Sequence, residues 1–122
     1  MDMRFELVTV PVSDIDRAKR FYVDQVGFSV ERDVRVDEAH RFVELLPPGS
    51  SCSAALTAGY VHSAPGSLEG VQLNVDDGDE VHANLRGRGV EVSTIQDYPW
   101  GRFCFFSDPD NNGWSIHGPL PD

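Results

Sequence analysis

Hydrophobic and polar positions follow two different periods along this chain, and the same change of period occurs twice. Val8, Val10 and Val12 recur at every second residue, which is typical of a strand with one buried face. Apolar residues spaced three or four apart then continue to Val26, and Gly27 stands where a helix would end. The pattern therefore predicts a strand followed by a helix at the start of the chain.

Three more strands are predicted after this helix, and the second half repeats the order. The strands of the first half cover residues 28–36, 40–46 and 52–57. In the second half we predict a strand at 70–75, a helix at 78–86 and strands at 90–95, 102–107 and 114–117, with a loop at 97–101. Two copies of one unit predict two small sheets that share a core, with a cleft where they meet.

The length of the chain favours a single domain over residues 1–122, because neither half alone would bury enough apolar surface to be stable. Within it we assign a first module to residues 1–60 and a second module to residues 70–122. Residues 61–69 are polar and contain Pro65 and Gly66, so we assign them to a linker.

The net charge of the chain limits the classes of partner that it can bind. The formal net charge is −10, from 20 acidic and 10 basic residues. Nucleic-acid binding requires cationic side chains that neutralise phosphates, so we expect no nucleic-acid partner. Surplus acidic charge favours solubility, and it also attracts cationic small molecules toward a cleft.

Other features of the chain indicate its compartment. No apolar run approaches the roughly 18 residues that cross a bilayer, and the start of the chain lacks the shape of a signal peptide. Cys52 and Cys104 have no metal-binding or redox spacing, and they read as small buried hydrophobes in a reducing compartment. We therefore expect a cytoplasmic protein with no membrane partner.

Each predicted strand carries one apolar set and one mixed set of side chains. A sheet that is covered by a helix on one face and faces a cleft on the other has this difference in polarity. The mixed set, which we expect to line the cleft, comprises Thr9, Phe42, Glu44, Gln72, Asn74, Ser115 and His117, joined by Phe103, Phe105 and Ser107. The alternative is that a polar face merely meets solvent.

Three stretches of the chain resemble a known family. They are Val12-Ser13-Asp14-Ile15-Asp16-Arg17-Ala18 with Phe21-Tyr22, then Val75-Asp76-Asp77, then Phe105-Phe106-Ser107-Asp108-Pro109-Asp110-Asn111-Asn112. The last stretch matches an F-x-x-DPDGN turn, with Asn111 where Gly is usual, and Asn accepts positive φ better than most residues. In order and spacing the chain resembles the vicinal oxygen chelate superfamily, which includes glyoxalase I, bleomycin-resistance proteins, extradiol dioxygenases and fosfomycin-resistance enzymes.

The resemblance implies an architecture and an assembly. The fold would be α+β, with two βαβββ modules that form a cup-shaped mixed sheet, and members are commonly homodimers. Metal-using members carry one ligand on the first and last strand of each module. The corresponding positions here hold Leu7, Ala55 (or Ser53), Gly70 and Ser115, which cannot bind a divalent ion. We therefore expect no metal and no other cofactor.

The aromatic residues point to a binding function. Pro99-Trp100-Gly101-Arg102 resembles the loop of drug-binding members in which an aromatic wall stacks on a flat ligand. We predict that a small aromatic or cationic organic molecule binds in a metal-free cleft, in resistance to or sequestration of a natural product. The ligand-binding residues would be Thr9, Phe42, Gln72, Asn74, Trp100, Phe103, Phe105 and Ser115.

Two alternatives stay open from the sequence. The first is a metal-independent lyase or isomerase in which Glu44 is a general base and His117 transfers a proton. The second is a metal-dependent lyase or dioxygenase whose site is rebuilt from Glu44, Gln72 and His117. The sequence does not decide whether any reaction is catalysed, and it does not name the ligand.

Overall fold

The repeated order of the sequence appears directly in the computed structural model, which describes residues 1–122. The first module contains β1 (Leu7–Thr9), α1 (Ile15–Arg20), a π-helix (Phe21–Val26), β2 (Ser29–Arg35), β3 (Arg41–Leu46) and β4 (Ser53–Ala58). The second contains β5 (Val71–Asn74), α2 (Gly78–Gly87), β6 (Gln96–Tyr98), β7 (Gly101–Ser107) and β8 (Gly113–Gly118). The predicted α+β fold with two βαβββ modules is confirmed.

Each module forms its own four-stranded mixed sheet. The strand order is β1-β4-β3-β2 in the first, which we call sheet A, and β5-β8-β7-β6 in the second, sheet B. β1 runs parallel to β4 and β5 runs parallel to β8, whereas the other pairs are antiparallel. The two sheets are equivalent halves, with β1 and β5 in corresponding places at their edges.

The edge of sheet B differs from the sequence prediction. Residues 90–95 form no regular strand, and β6 begins at Gln96, so that it includes part of the predicted loop at 97–101. Ser93 gives the physical reason. Its backbone N–H donates to the carbonyl of Phe105 at 2.8 Å, and its hydroxyl oxygen accepts from the Phe105 N–H at 2.9 Å. Because a side chain takes the place of a backbone carbonyl, the ladder is interrupted here.

The apolar faces of both sheets pack into one core. The buried residues are Val10, Phe28, Val43, Leu45, Ala54 and Leu56 from the first module, Val90, Cys104, Phe106, Trp114 and Ile116 from the second, and Ala18, Phe21, Tyr22 and Leu85 from the helices. The first helical segment lies between the two sheets: the Phe21 ring is 6.3 Å from that of Phe106, and the Tyr22 ring is 5.6 Å from that of Trp114. The face of each sheet that carries the mixed set of side chains, which we call its mixed face, therefore points away from the shared core.

A buried polar network joins the two modules inside this core. The Tyr22 hydroxyl donates to Asp108 Oδ2 at 2.8 Å and accepts from Trp114 Nε1–H at 2.8 Å. Asn112 Nδ2 donates to the same Asp108 oxygen at 2.9 Å and to the Pro11 carbonyl at 2.7 Å. Burial, with the neighbouring Asp108 carboxylate, raises the pKa of Tyr22 far above its usual value. The hydroxyl thus stays protonated and keeps its donor role.

The turn that contains this network also contacts the start of α1. The Asp110 carboxylate accepts hydrogen bonds from the Ser13 backbone N–H at 3.1 Å and from the Ser13 hydroxyl at 2.6 Å. Asn111 adopts a φ of 72°, a left-handed conformation that Asn accepts better than most residues. The Asp-Pro-Asp turn of the second module therefore holds the N-terminal end of the first module's helix.

Both cysteines are free, with Cys104 buried in the core and Cys52 half-buried. Burial raises the pKa of the Cys104 thiol. No helix combines the length and the apolar character that crossing a membrane requires.

We expect Tyr22→Phe to destabilise the protein by about 1–3 kcal/mol, because it removes the donor to Asp108 and leaves the Trp114 N–H without an acceptor. The measurement is the free energy of unfolding by urea titration. Tyr60→Phe is the matched control, since Tyr60 is half exposed and its hydroxyl makes no hydrogen bond. Equal effects of the two substitutions would show that the network contributes nothing to stability.

Candidate functional site

The face of sheet B that points away from the core brings together most of the predicted ligand-binding residues. The strand register places them in two rows, Gln72 beside Ser115 beside Phe105, and Asn74 beside His117 beside Phe103. Alternation along each strand sends these side chains to one side and the core residues to the other. The six residues thus share one surface because of the pleat and the register.

Aromatic rings form a continuous run on this surface. Tyr98 stacks on Trp100 with centroids 5.4 Å apart and meets the edge of Phe103 at 5.5 Å. Phe103 in turn stacks on His117 at 4.7 Å and on Phe105 at 6.4 Å. We call these five residues the aromatic platform. Trp100 is 68% exposed and Phe105 40% exposed, so the rings present open apolar area to solvent.

His117 is held at both ring nitrogens. Its Nε2 lies 3.1 Å from the backbone carbonyl oxygen of Trp100, and its Nδ1 lies 3.4 Å from the amide nitrogen of Asn74. The imidazole is therefore part of the structure of the platform, and neither nitrogen faces an open cavity.

Gly101 leaves the space that the imidazole fills. A Cβ atom at this position would overlap the His117 ring and would come within 3.1 Å of the Gly118 carbonyl oxygen. The sequence Trp100-Gly101 thus combines an exposed ring with a residue that lets β8 approach the backbone closely.

No carboxylate, lysine or arginine side chain lies on the face of the platform. The strands place on this face Gln72, Asn74, Gln96, Tyr98, Phe103, Phe105, Ser107, Ser115 and His117. Arg102 lies on the other face, where it binds Asp97 at 2.8 Å and Asp79 at 2.9 Å. The Arg102 guanidinium lowers the pKa of the Asp97 carboxyl below its usual value.

Polar groups lie along one side of the rings, on β5 and β8. The Ser115 hydroxyl donates to Gln72 Oε1 at 3.2 Å, and the Asn74 amide nitrogen faces His117. The remaining amide groups, Gln72 Nε2 and Asn74 Oδ1, have no partner within the chain. One donor and one acceptor are therefore free beside an apolar surface.

The mixed face of sheet A holds the other predicted residues, Thr9, Phe42 and Glu44. Glu44 Oε1 forms an ion pair with Arg32 Nε at 3.0 Å, and the Glu44 side chain is only 14% exposed. An irregularity between Val30 and Arg32 places the arginine directly opposite Glu44. The carboxylate is thus paired within its own sheet.

The structure does not bring Glu44 and His117 into one site within a single chain. Glu44 belongs to the outer face of sheet A and His117 to that of sheet B, and the shared core lies between the two sheets. No hydrogen bond or ring contact connects the two mixed faces. The predicted cleft between these faces is therefore not closed by one copy of the chain.

The residues at the family's metal-ligand positions do not fit a divalent ion. Leu7, Ala55 and Gly70 offer no donor atom, and the Ser115 hydroxyl is engaged with Gln72. No group of three or more His, Cys, Asp or Glu side chains is placed to hold a metal. The rebuilt site that the sequence left open, from Glu44, Gln72 and His117, is divided between two sheets.

A separate cleft of about 690 Å³ opens between the modules, beside the free edge of β5. Apolar side chains such as Val26, Leu73 and Val81 line its floor, and Gln72 and Asn74 reach its border. The cleft therefore adjoins the polar residues of β5 that flank the platform.

Sequence reasoning missed Tyr98 and Arg32. The sequence pattern predicts a loop at Tyr98, although a ring two residues before Trp100 is a signal for placing both rings on the same face. No feature of the sequence could have identified Arg32 as the partner of Glu44, since this pairing depends on an irregular strand register.

Comparison with known proteins supports the sequence-based resemblance. A family model described as the glyoxalase/bleomycin resistance protein/dioxygenase superfamily matches residues 4–116. TnmS3, an antibiotic-binding protein from Streptomyces sp. CB03234, is 39% identical, with 98% of each chain covered and a TM-score of 0.88.

Two further crystal structures show similar agreement. A glyoxalase/bleomycin resistance protein from the same Streptomyces strain is 39% identical over 93% of this chain and 99% of its own, with a TM-score of 0.82. A member of the superfamily from Sphaerobacter thermophilus DSM 20745 is 33% identical over 96% of this chain and 98% of its own, with a TM-score of 0.84.

Gly101→Ala should lower the free energy of unfolding by about 1–3 kcal/mol, because the new methyl group displaces the His117 ring. Gly87→Ala is the control: nothing lies within 4 Å of its added Cβ, and it is the last residue of α2. Alanine there should be neutral or slightly stabilising. Urea titration of both variants checks this, and a neutral Gly101→Ala would contradict the close approach.

Proposed function

The chain belongs to the glyoxalase/bleomycin resistance protein/dioxygenase superfamily, and we propose that it binds a planar aromatic organic molecule on the aromatic platform without a metal ion. The observation that carries the proposal is the run of rings on one open face. Trp100, Tyr98 and Phe105 are each more than a third exposed, although they are large and apolar. An apolar surface with a few placed polar groups is the usual composition of a small-molecule site.

Ring stacking gives this surface its affinity for flat molecules. Each aromatic contact contributes about 0.5–1.5 kcal/mol beyond the burial of apolar area. Phe103 is already buried beneath its neighbours, so it supports the platform, whereas Trp100 and Phe105 are free to contact a ligand. A flat ligand that covers Trp100 at one end of the platform and Phe105 at the other gains contacts that a compact aliphatic molecule cannot make.

The chemistry around the rings limits the ligand further. No carboxylate lies on the platform, so a positive charge on the ligand would be recognised by the ring faces and by the overall charge of −10. The free donor of Gln72 and the free acceptor of Asn74 suit a carbonyl and an N–H or O–H group at the ligand's edge. We therefore propose a neutral or cationic aromatic with polar edge substituents.

The relatives support a natural product as the ligand. TnmS3 is an antibiotic-binding protein, and this chain covers it almost completely. Sequestration of an antibiotic-like molecule, as a means of resistance, requires affinity and no chemical step. The missing metal donors at Leu7, Ala55 and Gly70 agree with such a role.

We also propose that the complete site forms in a homodimer. Both mixed faces are open, and neither can reach the other around the core of its own chain. The edges β1 and β5 lack an outer neighbour, so a second copy can continue each sheet. The platform of one copy would then face Thr9, Phe42 and Glu44 of the other.

Trp100→Ala should weaken binding of a planar probe about tenfold, which corresponds to about 1.4 kcal/mol, because it removes the most exposed ring of the platform. Suitable probes are acridone, which is neutral, and 9-aminoacridine, which is cationic, with cyclohexylamine as a non-planar comparison. Binding is measured by probe fluorescence and by calorimetry. Tyr60→Ala removes an exposed ring outside the platform and should leave affinity unchanged.

A library of planar polycyclic aromatics extends this test to the wild-type protein. Stabilisation in thermal-shift measurements by flat compounds, with or without chelator, supports the proposal. If folded protein binds none of them, or binds only in the presence of a metal, the proposed function is wrong.

A mixture of Trp100→Ala and Phe42→Ala proteins tests the shared site. If each site uses the platform of one copy and Phe42 of the other, a mixed dimer has one intact site and one doubly altered site. Half of the mixed dimers' sites should then bind the probe with wild-type affinity, as titration calorimetry would show. Phe42→Ala homodimers that bind the probe like the wild type would instead place the whole site on the platform of one chain.

The enzymatic alternative stays a prediction that rests on Glu44. If the protein is a metal-independent lyase or isomerase, Glu44→Gln should reduce turnover by a factor of about 10²–10⁴, the range for loss of a general base. Arg32→Gln is the companion variant, since it frees the carboxylate without removing it. Turnover that is unchanged in Glu44→Gln would exclude this role.

A further inference from the structure

We infer that His117 is a positioning residue whose imidazole fixes the Trp100 end of the aromatic platform. The inference rests on the proposed function only in taking the platform as the ligand site. It assigns His117 a different role from proton transfer, since the residue would act on a ligand through Trp100.

The hydrogen bonds of His117 select one tautomer. A carbonyl oxygen can only accept, so the contact of 3.1 Å between Nε2 and the Trp100 oxygen requires a proton on Nε2. In a neutral imidazole Nδ1 is then an acceptor, and the amide nitrogen of Asn74, 3.4 Å away, is the matching donor. Asn74 is held in this place because β5 and β8 pair it directly with His117.

The imidazole is confined on its other sides as well. The Phe103 ring lies against it with a centroid distance of 4.7 Å and an interplanar angle of 14°. The missing side chain of Gly101 leaves room for the ring to reach the backbone of the β6–β7 turn. Asn74 lies at one edge of the imidazole and the β6–β7 turn at the other, so these neighbours confine the ring on both sides.

The Trp100 side chain makes few contacts with the rest of the protein. Its side chain is 68% exposed, its indole N–H makes no hydrogen bond, and Tyr98 is the one ring that contacts it, at 5.4 Å. Trp100 also lies between β6 and β7, outside both strands. The bond from His117 to the Trp100 carbonyl therefore adds a polar link between the turn and β8, beside the Tyr98–Gly101 pairing that closes the turn.

This arrangement also explains why His117 is unsuited to proton transfer. Both nitrogens are engaged, one with a backbone carbonyl and one with an amide. A general acid or base must reach the reacting group within hydrogen-bond distance. His117 instead orders a residue that contacts the ligand.

Two substitutions separate the hydrogen bond from the ring. His117→Gln keeps a donor near the position of Nε2 and loses the stacking on Phe103, whereas His117→Phe keeps the ring and loses both hydrogen bonds. We expect His117→Phe to weaken acridone binding about three- to tenfold, since one hydrogen bond contributes about 0.5–1.5 kcal/mol. His117→Gln should retain most of the affinity. Wild-type affinity in His117→Phe would overturn the inference.

A measurement without ligand tests the same point independently. Long-range ¹H–¹⁵N correlation spectra report which imidazole nitrogen carries the proton. Wild-type His117 should be the Nε2–H tautomer, and it should stay so in Asn74→Leu, because the Trp100 carbonyl still requires the proton on Nε2. A dominant Nδ1–H form in the wild type would overturn the inference.

The two readouts also distinguish this inference from the proposed function. If no planar aromatic binds the wild type while the tautomer is as expected, the proposed function fails and the link to Trp100 stands. If acridone binds the wild type and His117→Phe equally, the proposed function stands and His117 does not position the platform.

Discussion

Four hydrogen-bond donors converge on the buried carboxylate of Asp108, and they come from both modules. Tyr22 and the Asn112 side chain donate to one oxygen, and the backbone N–H groups of Asp110 and Asn112 donate to the other. A buried charge is costly unless its lone pairs are satisfied, so the positions of these donors are closely constrained. Through Tyr22 the first helical segment is held against Trp114 and sheet B. The orientation of the two modules depends on this contact.

That orientation decides which surfaces are free to act. Because the helices and both apolar faces are used in one core, the two mixed faces are left outside. On sheet B this produces an open run of rings, and on sheet A it leaves Phe42 half-buried beside the paired carboxylate of Glu44. A superfamily known for metal centres thus presents here a surface of aromatic rings and amides. The proposed binding function follows from that surface.

The sequence predicted the faces well because alternation along a strand is a consequence of the pleat alone. Thr9, Gln72 and Ser115 could be placed on the outer faces without knowing the packing. The edge of sheet B could not be predicted, because the Ser93 hydroxyl replaces a backbone carbonyl there. Nor could the partners of the candidate residues: Arg32 reaches Glu44 through an irregular register, and Asn74 reaches His117 through a parallel pairing that only the fold defines.

The strands of sheet B carry their stabilising and their ligand-facing residues in strict alternation. Cys104 and Phe106 pack into the core, while Phe103 and Phe105 between them form the platform. A change at an outward position of β7 or β8 therefore leaves the buried network around Asp108 untouched. Apart from Gly101, where an added side chain would displace the His117 ring, these positions can change with little effect on the core, so a few exchanges on one surface could give affinity for a new compound. Selection by changing toxins would favour an architecture with this separation.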